Sequence, residues 1–228
     1  MKLTYPGSSK EFKILAVGAE AVLMKGCFLG IESVYKVRIP KPYRDLRLDL
    51  RLRRERTLAE AKLMIVAKKA GVNVPYILLI EPDAGIIIME YLKGSLLKNI
   101  LNTLQDSVMQ KTLKLVGAMV GKLHNEGIVH GDLTTSNIII HHDTGEPYLI
   151  DFGLAKVSDD IEDRGVDIHL FLRSLESTHY VVKDKAYKYF LEGYGEVTGQ
   201  EELSKVIDKV REIRLRGRYV EDRRRKRY

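Results

Sequence analysis

Three oxygen-bearing side chains stand out in the stretch IVHGDLTTSNIII and in the segment YLIDFG that follows it. Asp132 and Asn137 lie on a predicted loop between a helix end and a strand, and Asp151 ends a second strand-like piece. A hairpin between 138–140 and 148–150 would bring Asn137 and Asp151 to the same end. An amide oxygen and a carboxylate together suit Mg²⁺, a cation that prefers oxygen ligands and also takes phosphate ligands.

Asp132 is expected beside this magnesium site. Its carboxylate is a candidate to accept the proton of an attacking hydroxyl or to orient a water molecule. The alternative is structural, namely loop carboxylates together with an asparagine that caps a helix. The spacing D-x-x-x-x-N followed by D-F-G resembles the catalytic loop and the metal-binding element of protein kinases. That resemblance implies an ATP-dependent phosphotransferase.

A kinase-like site also needs a cation on the phosphates of ATP, held by an acidic residue of a helix. Lys36 in the strand VYKVRI is the candidate cation, and Arg38 and Lys41 compete with it for this role. Glu60 in the following helix is the candidate partner. It could equally form a capping box with Thr57 at a second helix start.

The segment IIIMEYLKG resembles the hinge that binds adenine in kinases. The resemblance implies that Met89 borders the back of the pocket and that the backbones of Glu90 and Leu92 pair with the adenine edge. The same pattern also fits an ordinary edge strand. Gly18 stands where kinases carry a phosphate-cradling G-x-G-x-x-G loop, and that full pattern is missing here. Fewer backbone N–H groups can therefore close over the phosphates.

The order of predicted elements indicates an α+β fold. Residues 12–39 show strand-like runs, 45–70 shows helical periodicity that ends before Gly71, and an apolar hairpin follows. The chain is then mostly helical. This pattern indicates a minimal two-lobed, protein-kinase-like fold, with a small strand-rich N-lobe over residues 1–92 that contains one long helix, and a reduced helical C-lobe over residues 93–228. The helices predicted in the C-lobe cover residues near 96–104, 107–125, 164–179, 183–194 and 200–215.

The chain departs from the usual kinase pattern around the catalytic loop. Gly131 stands where the arginine before the catalytic aspartate is expected, and Thr134 stands where a lysine is expected. Only about 13 residues separate Gly153 from Val166, and they contain no A-P-E element. A peptide-docking platform of the usual kind has no room, so ATP hydrolysis competes with protein phosphorylation as the expected reaction.

These departures occur together with the motifs GAEA, KVRIPKPYR, MEYLKG, HGDLTTSN, IDFGLAK and EDRGVDIHLFLRS. In this combination the chain resembles the small atypical kinase of the KEOPS complex, or PRPK family, in its archaeal single-domain form. The resemblance implies an ATPase and weak serine/threonine kinase that serves the synthesis of N6-threonylcarbamoyladenosine on tRNA. It also implies two protein partners, the threonylcarbamoyl-transferase subunit and a small regulatory subunit, and a structural role for Asp167 in bracing the catalytic loop.

Two functions of other classes stay open at this point. One is a nucleotide-sensing scaffold without significant turnover, and the retention of Lys36, Asp132, Asn137 and Asp151 argues against it. The other is a small-molecule phosphotransferase, which shares the catalytic motif but normally carries a larger substrate-binding insertion. The 228 residues of this chain leave little room for one.

The net charge of +7 is concentrated in two segments. Residues 36–56 and 211–228 each carry nine basic and three acidic residues, which favours a polyanion such as tRNA, or an acidic partner. A solvated helix face and a disordered tail are the alternatives. Cys27 is the only cysteine, and the amino-terminal segment lacks the apolar core of a secretory signal. We therefore expect a cytoplasmic protein that does not contact membranes.

Overall fold

The computed structural model describes residues 12–225, with side chains described as far as Arg216. Two compact units make up this part of the chain, one formed by residues 12–66 and 74–92 and the other by 67–73 and 93–225. Among the helices described, none is both long enough and apolar enough to cross a membrane. The mixture of an antiparallel sheet with separate helices confirms the α+β class.

The first unit contains an antiparallel sheet, in which the strand order over the described residues is β1-β2-β3-β5-β4. The period-two alternation of β3 places Tyr35 and Val37 on one face and Lys36 and Arg38 on the other. Tyr35 and Val37 belong to the buried apolar cluster of this unit. The strands are β1 Lys13–Val17, β2 Ala21–Phe28, β3 Ile31–Arg38, β4 Ile77–Glu81 and β5 Ile86–Glu90.

Helix α1, Leu46–Lys69, is continuous. The carboxylate of Asp45 accepts hydrogen bonds from two backbone N–H groups of the first turn, which caps its start. The helix ends before Gly71, whose φ of 77° is a conformation that glycine adopts without strain. The second helix start considered at Thr57 is wrong, because the Thr57 hydroxyl donates to the Arg53 carbonyl at 2.7 Å inside the same helix.

The second unit is mainly helical, and two glycines allow close contact between its helices α3 and α5. Gly117 lies against the carbonyl of Phe190, and Gly193 lies against the carbonyl of Lys114, so that a Cβ at either position would overlap backbone atoms. Leu113, Val116, Val120 and Leu123, which the periodicity assigned to the apolar face of α3, are fully buried. The helices are α2 Leu97–Ile100, α3 Asp106–Asn125, α4 Ile161–Thr178, α5 Lys183–Thr198 and α6 Gln200–Arg225.

Short strands in the second unit carry the loops that matter for chemistry. The predicted hairpin is confirmed, with Ile138 opposite Leu149 in antiparallel pairing. The strands at 94–96, 128–129 and 156–157 were not predicted, because two or three residues show too little alternation to be recognised. The strands are β6 Gly94–Leu96, β7 Ile128–Val129, β8 Ile138–His141, β9 Pro147–Leu149 and β10 Lys156–Val157.

Candidate active site

Asp132 lies in the loop that follows β7, and the backbone of this loop is held by a buried carboxylate from α4. Asp167 Oδ2 accepts the N–H of His130 at 2.5 Å, and Asp167 Oδ1 accepts the N–H of Gly131 at 2.7 Å. Asp167 is fully buried. Because hydrogen bonds to a charged acceptor are stronger than those between neutral groups, the two bonds fix the peptide units immediately before Asp132.

Two further side chains, which sequence reasoning missed, support Asp167. His124 of α3 lies with its Nε2 3.3 Å from Asp167 Oδ2 and its Nδ1 2.9 Å from the Tyr194 hydroxyl. Burial raises the pKa of Tyr194, so this hydroxyl keeps its proton and forms a neutral hydrogen bond with His124. Tyr194 lies 70 positions beyond His124, so no local pattern reveals the contact.

Asn137 closes the loop onto Asp132. Its amide nitrogen donates both to the backbone carbonyl and to Oδ2 of Asp132, each at 2.9 Å. These bonds fix the orientation of the Asp132 carboxylate. With its two N–H groups engaged in this way, the amide presents its oxygen as the remaining ligand atom.

Asp151 lies at the same end of the β8–β9 hairpin as Asn137, as the sequence predicted. The N–H of Ile150 donates to the carbonyl of Asn137 at 3.0 Å. This bond places Asp151, the residue that follows Ile150, close to Asn137. Asp151 has φ 62°, a left-handed conformation that is uncommon outside glycine and often marks functional sites. Its Oδ1 accepts the N–H of Gly153 at 3.1 Å.

The ligands offered at this end suit magnesium. An amide oxygen and a carboxylate are hard donors, and Mg²⁺ is commonly held by one or two such groups plus phosphates and water. Over the described residues, no cluster of three or more His, Cys, Asp or Glu side chains could enclose a metal ion. An ion held by Asn137 and Asp151 would complete its coordination with phosphate oxygens and water.

His130 is buried in the catalytic loop, and its ring orientation links two parts of the site. Its Nε2 lies 3.1 Å from the carbonyl of Ile150, and its Nδ1 accepts the N–H of Asp132 at 3.3 Å. These contacts require a neutral ring with its proton on Nε2. Burial lowers the pKa of His130, and the nearby carboxylate of Asp167 opposes that effect only in part. Sequence reasoning used this histidine as part of the motif and assigned it no contact.

Gly131 explains one departure from the kinase pattern. Its φ is 78°, and a Cβ at this position would overlap the carbonyl oxygen of Leu154. A side chain would therefore meet both an unfavourable backbone conformation and a fixed backbone atom. The loop reaches its observed geometry because the position expected to hold arginine carries no side chain.

Lys36 and Glu60, within the first unit, form the ion pair that the sequence predicted. Lys36 Nζ lies 2.5 Å from Glu60 Oε1, and both side chains are buried. Arg38, which was considered as a competitor of Lys36, binds the other carboxylate oxygen of Glu60 at 2.6 Å. Because Glu60 is engaged by both cations, its alternative role as the partner of Thr57 in a capping box is wrong.

Gly18 lies in the short turn between β1 and β2, at the position where kinases carry a phosphate-cradling loop and this sequence lacks the full pattern. Its N–H donates to the carbonyl of Ala21 at 2.9 Å, so this backbone group is committed within the turn. Lys41 Nζ donates to the carbonyl of Ala19. The carboxylate of Glu20, the next residue of the turn, accepts from Arg38 and Arg56. The turn is therefore tied to the rest of the first unit by side-chain contacts.

The three hinge residues lie at the end of β5 and just beyond it. Met89 and Leu92 are buried, whereas Glu90 is half-buried. The N–H of Glu90 donates to the carbonyl of Tyr76 at 2.9 Å, and the N–H of Tyr91 donates to the carbonyl of Glu32 at 3.0 Å. Adenine recognition at Glu90 would therefore have to use its carbonyl as the acceptor.

The basic segment 36–56 is largely compensated by nearby carboxylates. Asp49 receives Arg53 at 2.8 Å and Arg44 at 3.7 Å, and Arg54 lies 3.5 Å from Asp83. A pair at the surface contributes little to stability but lowers the local positive potential. Three carboxylates outside the segment, Glu20, Glu60 and Asp83, also bind its cations, so the net charge of its nine basic and three acidic residues, +6, falls to +3 when they are counted.

The tail segment 211–228 is described only in part. Its helix is described as far as Arg225, its side chains only as far as Arg216, and residues 226–228 lie outside the described part of the chain. Within the described portion, Arg214 binds Glu176 at 2.7 Å and Arg216 binds Glu162. These arginines therefore hold α6 against α4.

Comparison with known proteins identifies the family and the fold. The protein kinase domain family matches residues 43–180, more than half of the chain. The Rio2 kinase from Chaetomium thermophilum superposes with a TM-score of 0.63 over 92% of this chain and 73% of that chain. Its complex with ADP/Mg²⁺ and phosphoaspartate gives 0.59 over 91% of this chain and 71% of that chain. Both are 18% identical to this chain, so they show the fold alone.

Curated relatives match at higher identity. The KEOPS complex subunit Bud32 of Pyrococcus abyssi is 45% identical over 92% of this chain and 97% of that protein. The probable bifunctional tRNA threonylcarbamoyladenosine biosynthesis protein of Methanothermobacter thermautotrophicus is 42% identical over 91% of this chain, and this match spans only 37% of that protein. The similarly named protein of Methanospirillum hungatei is 46% identical over 90% of this chain and 36% of that protein. The chain therefore belongs to the protein kinase family and, within it, to the small atypical kinases of the KEOPS complex.

Proposed function

We propose that this protein is a Mg²⁺-dependent ATPase and atypical serine/threonine kinase that acts as a subunit of a KEOPS complex in the synthesis of N6-threonylcarbamoyladenosine on tRNA. The observation that carries the proposal is the arrangement of Asn137, which holds the Asp132 carboxylate and lies beside Asp151 at one hairpin end. The 45% identity to a KEOPS subunit supports the cellular role.

Asp132 is the proposed catalytic residue. Its carboxylate is held by Asn137 and its backbone by His130, so its position is set before a substrate arrives. A carboxylate fixed in this way accepts the proton of an attacking hydroxyl or orients a water molecule. Bound to Asn137 and Asp151, Mg²⁺ would supply positive charge to the phosphates of ATP.

The first unit is proposed to supply the remaining nucleotide contacts. Lys36, held by Glu60, is the phosphate-binding cation. Met89, Glu90 and Leu92 are the proposed adenine-contacting residues, and we propose that the turn at Gly18 lies against the phosphates. Lys36 suits this role because its ammonium group is held in position by the buried carboxylate of Glu60.

Water is a proposed phosphoryl acceptor alongside serine and threonine hydroxyls. Thr134 takes the place of the lysine that adds positive charge near the phosphoryl group in kinases. The connection from Gly153 to α4 contains little beyond β10, which leaves no long segment to dock a peptide. Both features favour ATP hydrolysis as the working reaction.

The proposed partners are the threonylcarbamoyl-transferase subunit, a small regulatory subunit and tRNA. In one relative, a probable bifunctional tRNA threonylcarbamoyladenosine biosynthesis protein, the segment that matches this chain is 37% of a longer chain. A kinase-like segment joined covalently to another part of the same protein supports stable association of this chain with a separate partner subunit. For tRNA, the formal charge of 211–228 supports contact with phosphates. The compensated arginines of 36–56 support a smaller contribution from that segment. We propose a cytoplasmic location, in keeping with relatives that are named for tRNA modification.

The test is ATP turnover by the protein alone, with the transferase subunit, and with that subunit plus tRNA, for the wild type and for Asp132→Ala and Asp151→Ala. We expect Asp132→Ala to lower turnover by about 10²-fold or more while nucleotide binding is kept, because its role lies in the transition state. Asp151→Ala should abolish Mg²⁺-dependent turnover.

Asp143→Ala is the matched control, because Asp143 is an exposed carboxylate on the turn of the β8–β9 hairpin. It should behave as the wild type. Normal turnover by Asp132→Ala would contradict the catalytic assignment. Nucleotide binding without turnover under all three conditions would favour the scaffold alternative.

A further inference from the structure

Arg38 is a buried cation that the proposed reaction does not use directly. Its side chain is 5% exposed and lies on the same face of β3 as Lys36, two residues earlier. Arg38 Nη2 binds Glu60 Oε2 at 2.6 Å, while Lys36 takes Glu60 Oε1 at 2.5 Å. Each oxygen of this carboxylate therefore has a cation of its own.

The second guanidinium nitrogen of Arg38 reaches towards the turn between β1 and β2. Arg38 Nη1 lies 3.4 Å from Glu20 Oε2, and Arg56 of α1 donates to Glu20 Oε1. The Arg56 hydrogen bond lowers the pKa of Glu20, which keeps this carboxylate charged. The carbonyl of Glu20 also accepts the N–H of Ile39 at 3.0 Å.

These contacts form one chain of charges from the turn to the predicted phosphate-binding lysine. It runs from Glu20 through Arg38 to Glu60 and then to Lys36. A guanidinium can span two carboxylates because its nitrogens point in different directions, whereas a lysine ammonium acts as a single point charge. The turn contains one glycine, Gly18, rather than the three of the G-x-G-x-x-G loop whose backbone folds over phosphates.

We propose that Arg38 is a positioning residue that holds the turn 18–21 and the Lys36–Glu60 pair in a fixed arrangement and so compensates for the missing glycine-rich loop. Arg38 touches neither ATP nor the reacting atoms in this proposal and acts through Glu60 and Glu20. The inference rests on the proposed nucleotide-binding function, because the role assigned to the turn is to lie against the phosphates.

The test compares Arg38→Lys, Glu20→Gln and the double variant with the wild type. Arg38→Lys keeps the buried positive charge and one contact with Glu60 but loses the bridge to Glu20. We expect each single variant to raise KM for ATP by about threefold or more while kcat changes by a smaller factor. The double variant should be no worse than Arg38→Lys, since both changes break the same link.

Arg54→Lys is the matched control, because Arg54 is an exposed arginine of the same unit with a carboxylate partner, Asp83, at 3.5 Å. Its KM should equal that of the wild type. A merely structural role for Arg38 would lower the melting temperature of Arg38→Lys and leave KM unchanged. Unchanged KM in Glu20→Gln, or effects of the two single variants that multiply in the double variant, would overturn the proposal. Glu20 is 44% exposed, so its variant is expected to fold even if Arg38→Lys does not.

Binding of a fluorescent ATP analogue separates failure of this inference from failure of the proposed function. If the wild type binds the analogue without turning over ATP, weaker binding by both single variants still supports the positioning role, and the proposed turnover is wrong. If the wild type turns over ATP and both variants bind the analogue as tightly as it does, only the positioning role is overturned. A wild type that does not bind the analogue overturns both.

Discussion

Replacing Asp167 by asparagine tests the bracing of the catalytic loop. Asp167 Oδ1 accepts the N–H of Gly131 and Oδ2 accepts the N–H of His130, at 2.7 and 2.5 Å. Asparagine has the same shape but only one acceptor oxygen. Whichever way the asparagine amide is turned, its NH₂ group faces one of these two backbone N–H groups. That N–H group then has no acceptor.

The expected cost follows from these contacts. One hydrogen bond to a charged acceptor is lost, and a buried N–H group is left opposite another donor, which together destabilise by about 2–3 kcal/mol. The site is fully buried, so solvent does not compensate. For a chain of this size, that free-energy change lowers the melting temperature by roughly 5–10 °C. ATP turnover should fall further than stability alone explains, because the backbone before Asp132 is no longer fixed.

The assay is thermal and urea unfolding of Asp167→Asn beside Asp208→Asn, with ATP turnover measured well below both melting temperatures. Asp208 is 61% exposed and binds Arg211 three residues along α6, so its replacement should cost no more than about 0.5 kcal/mol. If Asp167→Asn unfolds at the same temperature and urea concentration as the control, the bracing argument is refuted.

Two further predictions concern the same loop. Gly131→Ala should lower the free energy of unfolding by about 2 kcal/mol or more and reduce ATP turnover. The control Gly145→Ala, at φ 68° with open space around it, should cost about 1 kcal/mol. Equal unfolding midpoints for the two variants would contradict the overlap of an added Cβ with Leu154. Burial lowers the pKa of His130 below its ordinary 6.5. At mildly acid pH the unfolded chain therefore binds a proton at this histidine that the folded chain does not. The contribution of the neutral His130 to the free energy of unfolding is lost as pH falls below about 6.5. An NMR titration of the His130 imidazole should give a midpoint below 6.5, and a midpoint at or above that value would contradict the neutral ring that its contacts require.

The hairpin around Asp151 is an element that local sequence patterns predict correctly. The apolar runs and the turn between them predicted that Asn137 and Asp151 lie at the same end, and Ile138 does pair with Leu149. Helix α1 was likewise predicted to within a residue at each end, because its start, its periodicity and Gly71 are all local signals. Patterns of this kind depend only on near neighbours in the chain.

The role of Thr57 shows where local sequence misleads. A threonine three residues before a glutamate is typical of a capping box, yet here Thr57 lies inside a continuous helix and Glu60 binds cations on a strand. The outcome depends on which face of α1 meets β3. That face is set by burial over the whole unit.

The sequence by itself determined the kinase-like motif, the α+β organisation and the residues able to bind magnesium and to accept a proton. Tertiary structure alone decided that Arg38 shares Glu60 with Lys36, that His124 and Tyr194 support Asp167, and that Gly131 leaves room for Leu154. The physical reason is distance along the chain: these contacts join residues 22 to 70 positions apart, and packing selects them among many partners of the same chemical type.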